Sequence, residues 1–278
     1  MTGHAELLAI AERAMDLARD MFTSRAPGAL TEKTERDFAS ELDYAIEREL
    51  RRYLRQATPD IGFLSEEEGA VDVDPDQAFW ALDPVDGTAN LVHGIPLCGS
   101  SLGLVQAGRP TLGVIDLPFL GHRYTARAGH GAYRDGRRLQ ASTVTKLDSA
   151  VISTGDYAVG PDAAKKNNRR FAIARELAAR AERVRMLGSA AIDLAWVAAG
   201  QLDGSIMLAN KPWDVTAGII IAREAGAHVL DIDGTDHTLN ATATISAAPG
   251  IVNAVRDLLA HPSINDLDSD RGATLLPS

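Results

Sequence analysis

The sequence predicts an α+β chain whose second half turns α/β, and three observations predict it. Apolar residues recur with a helical period over residues 6–22 and again over 37–53. Between residues 99 and 139, small and apolar residues alternate between glycine- and proline-bearing turns, the pattern of antiparallel strands. From residue 150 onward, strand-like and helix-like segments take turns.

In the first helix Leu7, Leu8, Ile10, Ala11, Ala14, Met15, Leu17 and Ala18 form a core-facing stripe with charges between them. Residues 24–30, with Pro27 and Gly28, break it; Phe38, Leu42, Ala45, Ile46 and Leu50 restore the period. Within that second helix Asp37, Ser40 and Asp43 lie three apart, expected along one helical edge, where solvated helix charges would show the same spacing. Residues 61–64 form a short strand that runs into the acidic loop Ser65-Glu66-Glu67-Glu68-Gly69.

Residues 79–82, Phe-Trp-Ala-Leu, are expected as a buried strand that Asp83-Pro84 stops, because proline cannot donate to a ladder and restricts the residue before it. Asp86-Gly87-Thr88 follows. Glycine there permits close backbone approach, and the N–H groups of Gly87, Thr88 and Ala89 can turn toward an anion at a helix start. Two carboxylates beside a phosphate cradle suit phosphoryl transfer, since hard divalent cations want carboxylate and carbonyl oxygens. Taken alone, D-P and D-G are also ordinary turn dipeptides.

Strands are expected at residues 99–108 and 111–117, joined by the Ala107-Gly108-Arg109-Pro110 turn, then at 123–126 and 131–134 before Asp135-Gly136. A boundary falls near Ala141–Thr145, ahead of a new strand at 150–154. Residues 165–185 read as a helix whose KKNNRR run is a solvated face or a phosphate patch. A helix opened by Gly188-Ser189-Ala190, a strand at 202–208 and a helix at 215–225 complete the pattern, with Asp214 at the last helix's start, where an N-cap acid is common. The residues past His261, with Asp266, Asp268, Asp270 and Pro277, read as a polar tail.

The 278 residues allow one large or two small domains. A net charge of −10 and a pI near 5.2 argue against a nucleic-acid polymer as partner and make an anionic substrate dependent on local cations. The single Cys98 allows no internal disulfide and reads as a core thiol; with no basic-then-apolar leader, a cytoplasmic location is expected. No apolar run approaches the ~20 residues of a spanning helix, so no membrane segment is expected.

Residues 80–96, WALDPVDGTANLVHGIP, closely resemble the W-x-L-D-P-[IV]-D-G-T-x-N-[FL]-x-H-G-x-P signature of the inositol monophosphatase family of metal-dependent phosphatases. WDVTAG at 213–218 matches the family's W-D-x-x-A-G segment, and Ser-Glu-Glu at 65–67 stands where the family has Gly-Glu-Glu. The resemblance spans residues 6–259, with the helix pair, acidic loop, signature, GSAA segment and WD segment in the family's order. It implies a layered αβαβα sandwich of the inositol monophosphatase and fructose-1,6-bisphosphatase type. The expected division is 1–141, carrying most metal ligands, 142–264, carrying Asp214 and the substrate-side pocket, and a tail at 265–278.

The resemblance further implies two or three Mg²⁺ ions and an Mg²⁺-dependent, lithium-sensitive phosphatase acting as a homodimer. Glu66, Asp83 and the Val85 carbonyl correspond to ligands of one ion; Asp83, Asp86 and Asp214 correspond to ligands of a second. Asp43 and Thr88 correspond to the pair that positions or deprotonates the attacking water, with Glu66 as a competing acceptor. Asp86, Gly87, Thr88, Ala190, Met207 and Asp214 correspond to substrate-binding positions, and Lys33 resembles a family lysine near the metals at a spacing one residue short. His93 is expected to be a structural hydrogen-bonding residue, and Trp80 and Trp213 to wedge the metal loops against the core.

The implied substrate is a small phosphate monoester, inositol monophosphate-like. Many inositol-hydrolysing members carry a glutamate seven residues before the WD aspartate, where this chain has Met207. Met207 either packs inward from a strand or shapes a pocket for a less hydroxylated ester. Histidinol phosphate, a sugar phosphate and a nucleotide such as adenosine 3′,5′-bisphosphate stay open as substrates, and Asp156, Ala190 and Lys211 as other specificity positions. The rival class is a non-catalytic regulatory or scaffold member, whose expected mark is decayed ligands; here every ligand position is filled.

Overall fold

In the computed structural model, which describes residues 3–71, 73, 74, 77–261 and 264, two amphipathic helices bracket a small hairpin. These are α1 (His4–Ser24), β1 (Leu30–Thr34), β2 (Asp37–Ser40) and α2 (Glu41–Ala57). An eight-stranded sheet follows, built from β3 (Gly62–Ser65), β4 (Gly69–Val71), β5 (Phe79–Asp86), β6 (Gly99–Gln106), β7 (Arg109–Leu117), β8 (His122–Arg127), β9 (Ala132–Arg134) and β10 (Arg137–Arg138), with α3 (Thr88–Val92) between β5 and β6. Its order is β10-β9-β8-β7-β6-β5-β3-β4, antiparallel except for the parallel pair β3 and β5.

The second half alternates β11 (Val151–Thr154), α4 (Ala163–Arg180), β12 (Arg183–Arg185), α5 (Ala190–Ala198), β13 (Gly204–Leu208), α6 (Pro212–Glu224), β14 (His228–Leu230), β15 (Ala243–Ala247) and α7 (Val252–Leu259). Its five strands run β12-β11-β13-β15-β14, with β12, β11 and β13 parallel and the rest antiparallel.

Strand alternation explains the layering. Leu102 and Leu104 of β6 point at α1 and α2, joining Met15, Phe22, Leu42, Ile46 and Leu50 in one core. Gly103, between them, faces the other way and pairs in register with Gly113 of β7. A Cβ on Gly103 would come 2.3 Å from Thr216 Cγ2, and one on Gly113 2.6 Å from the Ala217 carbonyl, so α6 rests directly on the sheet backbone and only glycine permits that approach. α5 and α6 form the middle layer, because Met207 and Val229 of the second sheet pack on the same two helices. The far face of that sheet, with Ile152, Ile206 and Ile245, packs on α4 and α7. The result is the expected αβαβα sandwich.

Three expectations are corrected. Residues 37–40 form β2, paired with β1 through Leu30↔Ser40, and the helix begins at Glu41; Asp37, Ser40 and Asp43 therefore do not share a helical edge. The reason is a helix-start signal: the Ser40 N–H donates to Asp43 Oδ2 at 3.0 Å, the helix-side half of a capping box. Pro84 does not stop the strand either, since β5 runs to Asp86. The register advances three residues on β5, Asp83 to Asp86, against two on β6, Ser101 to Gly99, and proline sits inside that bulge. The helix expected over 165–185 ends at Arg180, and Arg183–Arg185 instead pair in parallel with β11 as a charged edge strand. The polar tail expected at 265–278 lies outside the described residues.

Candidate functional site

The site forms where β3 and β5 end. Their parallel register sets Ser65 opposite Leu82, which carries Glu66, in the turn after β3, to the level of Asp83. Asp214 joins them from the first turn of α6, the helix seated on Gly103 and Gly113. Carboxylate oxygens of Glu66, Asp83 and Asp214 lie within 4.8 Å of one another. Burial pushes the Asp83 carboxyl well above the usual carboxylate range, and Glu66, Asp86 and Asp214 add to that by repulsion. Asp214 is pushed up to about 8 by burial and by Glu66, with its capping hydrogen bond from the Lys211 N–H, 2.8 Å, pulling the other way. Buried carboxylates that repel this strongly must share protons or hold a cation, and an all-oxygen set is what Mg²⁺ takes. The donor set fits that ion.

The remaining expected ligands line the same cavity, of about 610 Å³, but have protein partners. Asp86 accepts hydrogen bonds from the Ser189 hydroxyl and from the Ala190 and Ala191 N–H groups at 3.2 and 2.7 Å, so α5 begins on this carboxylate. Burial raises Asp86 to about 6, and those three donors restrain the rise. The Val85 carbonyl accepts from the Thr88 hydroxyl at 3.0 Å.

Asp43 and Thr88, 45 residues apart in sequence, meet: Thr88 Oγ1 donates to Asp43 Oδ1 at 2.9 Å. The other Asp43 oxygen is held by the backbone and hydroxyl of Ser40. Burial raises this carboxyl, and the Ser40 and Thr88 donors oppose the rise. Gly87 at φ +87° makes the turn into α3 that presents Thr88. Lys33 reaches the site from β1, with Nζ 2.7 Å from Glu66 and 2.6 Å from Glu67. Burial pulls its ammonium down, but the two carboxylates outweigh it and hold it above the ordinary lysine range.

Sequence reasoning missed the residues that hold these groups in place. Glu47 of α2 is fully buried and accepts from the Ser65 hydroxyl at 2.6 Å and from the Glu67 and Glu68 N–H groups, both at 2.9 Å, shaping the turn that presents Glu66. Arg51 supplies the countercharge at 3.2 Å. Asn90 donates to the Leu97 and Leu187 carbonyls, both at 2.8 Å, and so fastens the start of α5 beside Asp86. The available signal was a glutamate on the core-facing stripe of a predicted helix, a buried charge in need of partners.

The cavity wall from the second sheet and α5 carries Gly155, Asp156, Ala190, Asp193, Met207, Leu208 and Asn210. Met207 is buried in the α5–α6 core, as one of its two expected settings has it, while also lining the cavity. Burial raises the Asp156 carboxyl; it raises Asp193 well above its usual range, with the neighbouring Ser153 hydroxyl opposing. Lys211 is exposed and lines no part of this cavity. Lys165, Lys166, Arg169 and Arg170 line a different cavity, of about 1320 Å³.

Trp80 is fully buried, its indole N–H on Thr58 Oγ1 at 3.0 Å, and Trp213 is partly buried against the cluster of Leu64, Phe79, Ala81 and Val105. Cys98 is buried and its thiol pushed up to about 12, first by burial and then by Asp86 and Asp43, which makes it inert. His93 is exposed at the cavity rim.

Comparison with known proteins fits this geometry. The model of the inositol monophosphatase family matches residues 4–262. The inositol-1-monophosphatase of Mesorhizobium japonicum is 37% identical over 227 residues, 81% of this chain and 84% of that protein. The Nus factor SuhB of Escherichia coli is 32% identical over 254 residues, 90% of this chain and 94% of that one. Among solved structures, the inositol monophosphatase from Anabaena superposes with a TM-score of 0.81 at 30% identity, covering 91% of this chain and 94% of that one.

Proposed function

The chain belongs to the inositol monophosphatase family and is a phosphatase, and from that premise we propose that it hydrolyses a small, inositol monophosphate-like ester with Mg²⁺ held by Glu66, Asp83 and Asp214 and completed by Asp86 and the Val85 carbonyl. The observation that carries this reading is the meeting of three mutually repelling carboxylates in one cavity with Thr88, whose hydroxyl is held by the buried Asp43 behind it. When bound, Mg²⁺ supplies water activation near neutral pH and charge neutralisation at the ester and the departing oxygen.

The chain's own residues do the rest. The N–H groups of Gly87 and Thr88 hold the phosphate, with the positive φ of Gly87 setting their direction. Because the Thr88 hydroxyl gives its proton to Asp43 or to the Val85 carbonyl, its oxygen lone pairs face the attacking water, and Asp43 raises their basicity. The water's proton passes to this pair, with Glu66 as the alternative acceptor. Water attacks phosphorus, the P–O ester bond breaks, and the departing alkoxide, on the side of Ala190 and Met207, takes a proton from solvent to leave as the alcohol. The site lies between the two proposed units, 1–141 and 142–264. By the same family premise the enzyme acts as a Li⁺-inhibited cytoplasmic homodimer; among the described residues no helix is long and apolar enough to cross a membrane.

The E. coli relative is named as a Nus factor, so a partner-binding role without catalysis is the second reading. The intact acidic set favours turnover. A phosphate-release screen over inositol monophosphates, histidinol phosphate, sugar phosphates and adenosine 3′,5′-bisphosphate, with Mg²⁺ and with EDTA, separates the two. Mg²⁺-dependent release from one ester class is expected; undiminished release in EDTA, or none from any ester, counts against it.

A further inference from the structure

The wall formed by β11, α5 and β13 holds an unusual concentration of unpartnered polar atoms. Asp193 lines the cavity while only 1% exposed, and its Oδ1 has no hydrogen-bond partner among the described residues. Asn210, on the same wall, has a buried Nδ2 in the same condition. Ser205 of β13, paired in register with Ser153 of β11, is fully buried with an unpartnered hydroxyl and shares a strand face with Met207. Buried polar groups are paired in more than about 90% of cases, so three at one wall call for a partner the protein does not supply.

We propose that Asp193, assisted by Asn210, reads a hydroxyl group on the leaving alcohol and is a specificity-determining residue of this cavity; the proposal rests on the phosphatase reading of the site. The chemistry selects the hydroxyl. Asp193 offers an acceptor and Asn210 Nδ2 a donor, and a hydroxyl is the small group that answers both. An ammonium group would satisfy Asp193 and leave Asn210 Nδ2 unmet; an apolar leaving group would bury both unpaired. Met207 cannot take this role, since a thioether is only a weak acceptor. Its stem instead packs at Gly155, where an added Cβ would already lie 3.4 Å from Met207 Cγ. Asp156 stands exposed at the rim, where water competes for its carboxylate.

The test is the ratio of kcat/KM for myo-inositol 1-phosphate to that for cyclohexyl phosphate, which keeps the ring and lacks its hydroxyls, measured in Mg²⁺ for the wild type, Asp193→Leu, Asp193→Asn and Asn210→Ala. The wild type should favour the hydroxylated ester. Asp193→Leu should cut that preference by about tenfold or more while leaving cyclohexyl phosphate within about twofold, and Asp193→Asn, which keeps a carbonyl acceptor, should fall between. Should the leucine variant not fold, the same displacement of the ratio in Asp193→Asn and Asn210→Ala carries the test. Equal losses on both esters would assign Asp193 a structural role and overturn the proposal. A wild type that cleaves both esters without preference overturns it alone; a wild type that cleaves neither, nor any other ester, overturns the phosphatase reading with it.

Discussion

Asp86, at the end of β5, meets the start of α5, and Asp214 lies in the first turn of α6; both feel burial and Glu66, yet one carboxyl is raised to about 6 and the other to about 8. The difference is in the donors. Asp86 collects a hydroxyl and two N–H groups from the start of α5, whereas Asp214 collects a single N–H from the start of its own helix. Donors that stabilise the charged form offset much of the burial penalty at Asp86. At Asp214, as at Asp83, which accepts a single N–H from Val85 at 3.0 Å, burial and carboxylate repulsion outweigh the donors. Asp86 is therefore both a wall of the site and the joint between β5 and α5, while Glu66, Asp83 and Asp214 form the acidic cluster at the centre of the proposed cation site.

If that division is right, the largest effect belongs to Asp83→Asn, which removes the carboxylate facing both others. Turnover should fall on the order of a thousandfold, the equivalent of several kcal/mol of lost charge stabilisation; a variant within tenfold of wild type would break the comparison at its first term. Glu47→Gln comes next. It keeps the shape of the fully buried side chain but weakens its hold on the Glu67 and Glu68 N–H groups, so kcat should drop by about 10- to 100-fold, with a weaker apparent Mg²⁺ affinity. Unchanged Mg²⁺ dependence would show that the turn carrying Glu66 holds itself.

Ser189→Ala tests the other side, since this hydroxyl serves Asp86 and also caps α5 by accepting from the Ile192 N–H at 3.2 Å. Stability measured by urea unfolding should fall by about 1–2 kcal/mol, with a smaller loss of activity than Glu47→Gln gives. The reverse ranking would mean that Asp86 serves chiefly as a ligand and little as a joint.

The smallest effect concerns a group away from the cavity. Burial, reinforced by Arg223 and opposed by Asp231, lowers His237 to about 4, and its Nε2 lies 2.9 Å from Thr244 Oγ1. The folded-state value lies below the ordinary 6.5, so the unfolded chain takes the proton first. The stability this provides is complete above about pH 6.5 and is lost as pH falls toward 4, amounting to at most about 3 kcal/mol. Urea titrations of wild type and His237→Gln over that window should diverge, the variant showing the shallower acid loss; parallel curves would place the acid sensitivity in the carboxylates.

The candidate site was legible to the extent that it is written in contiguous residues. Asp83, Asp86, Gly87 and Thr88 fall within one six-residue stretch, and Asp214 within another motif, so their identities and spacing were on the surface of the text. Glu47, Asn90 and Ser189 were not, because a glutamate on an amphipathic helix gives no local sign that two distant N–H groups will converge on it. The second helix was read to start too early for a related reason: Phe38 continues the apolar period by coincidence, and the Ser40–Asp43 capping pair, which decides the boundary, is a hydrogen-bond signal that periodicity does not see. The strand through Pro84 escaped because a bulge is a property of two strands, and only the partner β6 shows the extra residue.

By itself the sequence determined the amphipathic pair at the start, the strands of the first sheet that lie between glycine turns, the alternation of the second half and the carboxylates of the site, because period, turn chemistry and charge are local properties. Tertiary structure alone decided which carboxylates share a receptor and which are answered by a helix start, that Lys33 lies on Glu66, and that the wall beside Met207 carries Asp193 and Asn210. These depend on where α5 and α6 sit between two sheets, and that placement is fixed by backbone-to-backbone contact at Gly103 and Gly113, a pairing across strands that no single stretch of chain contains.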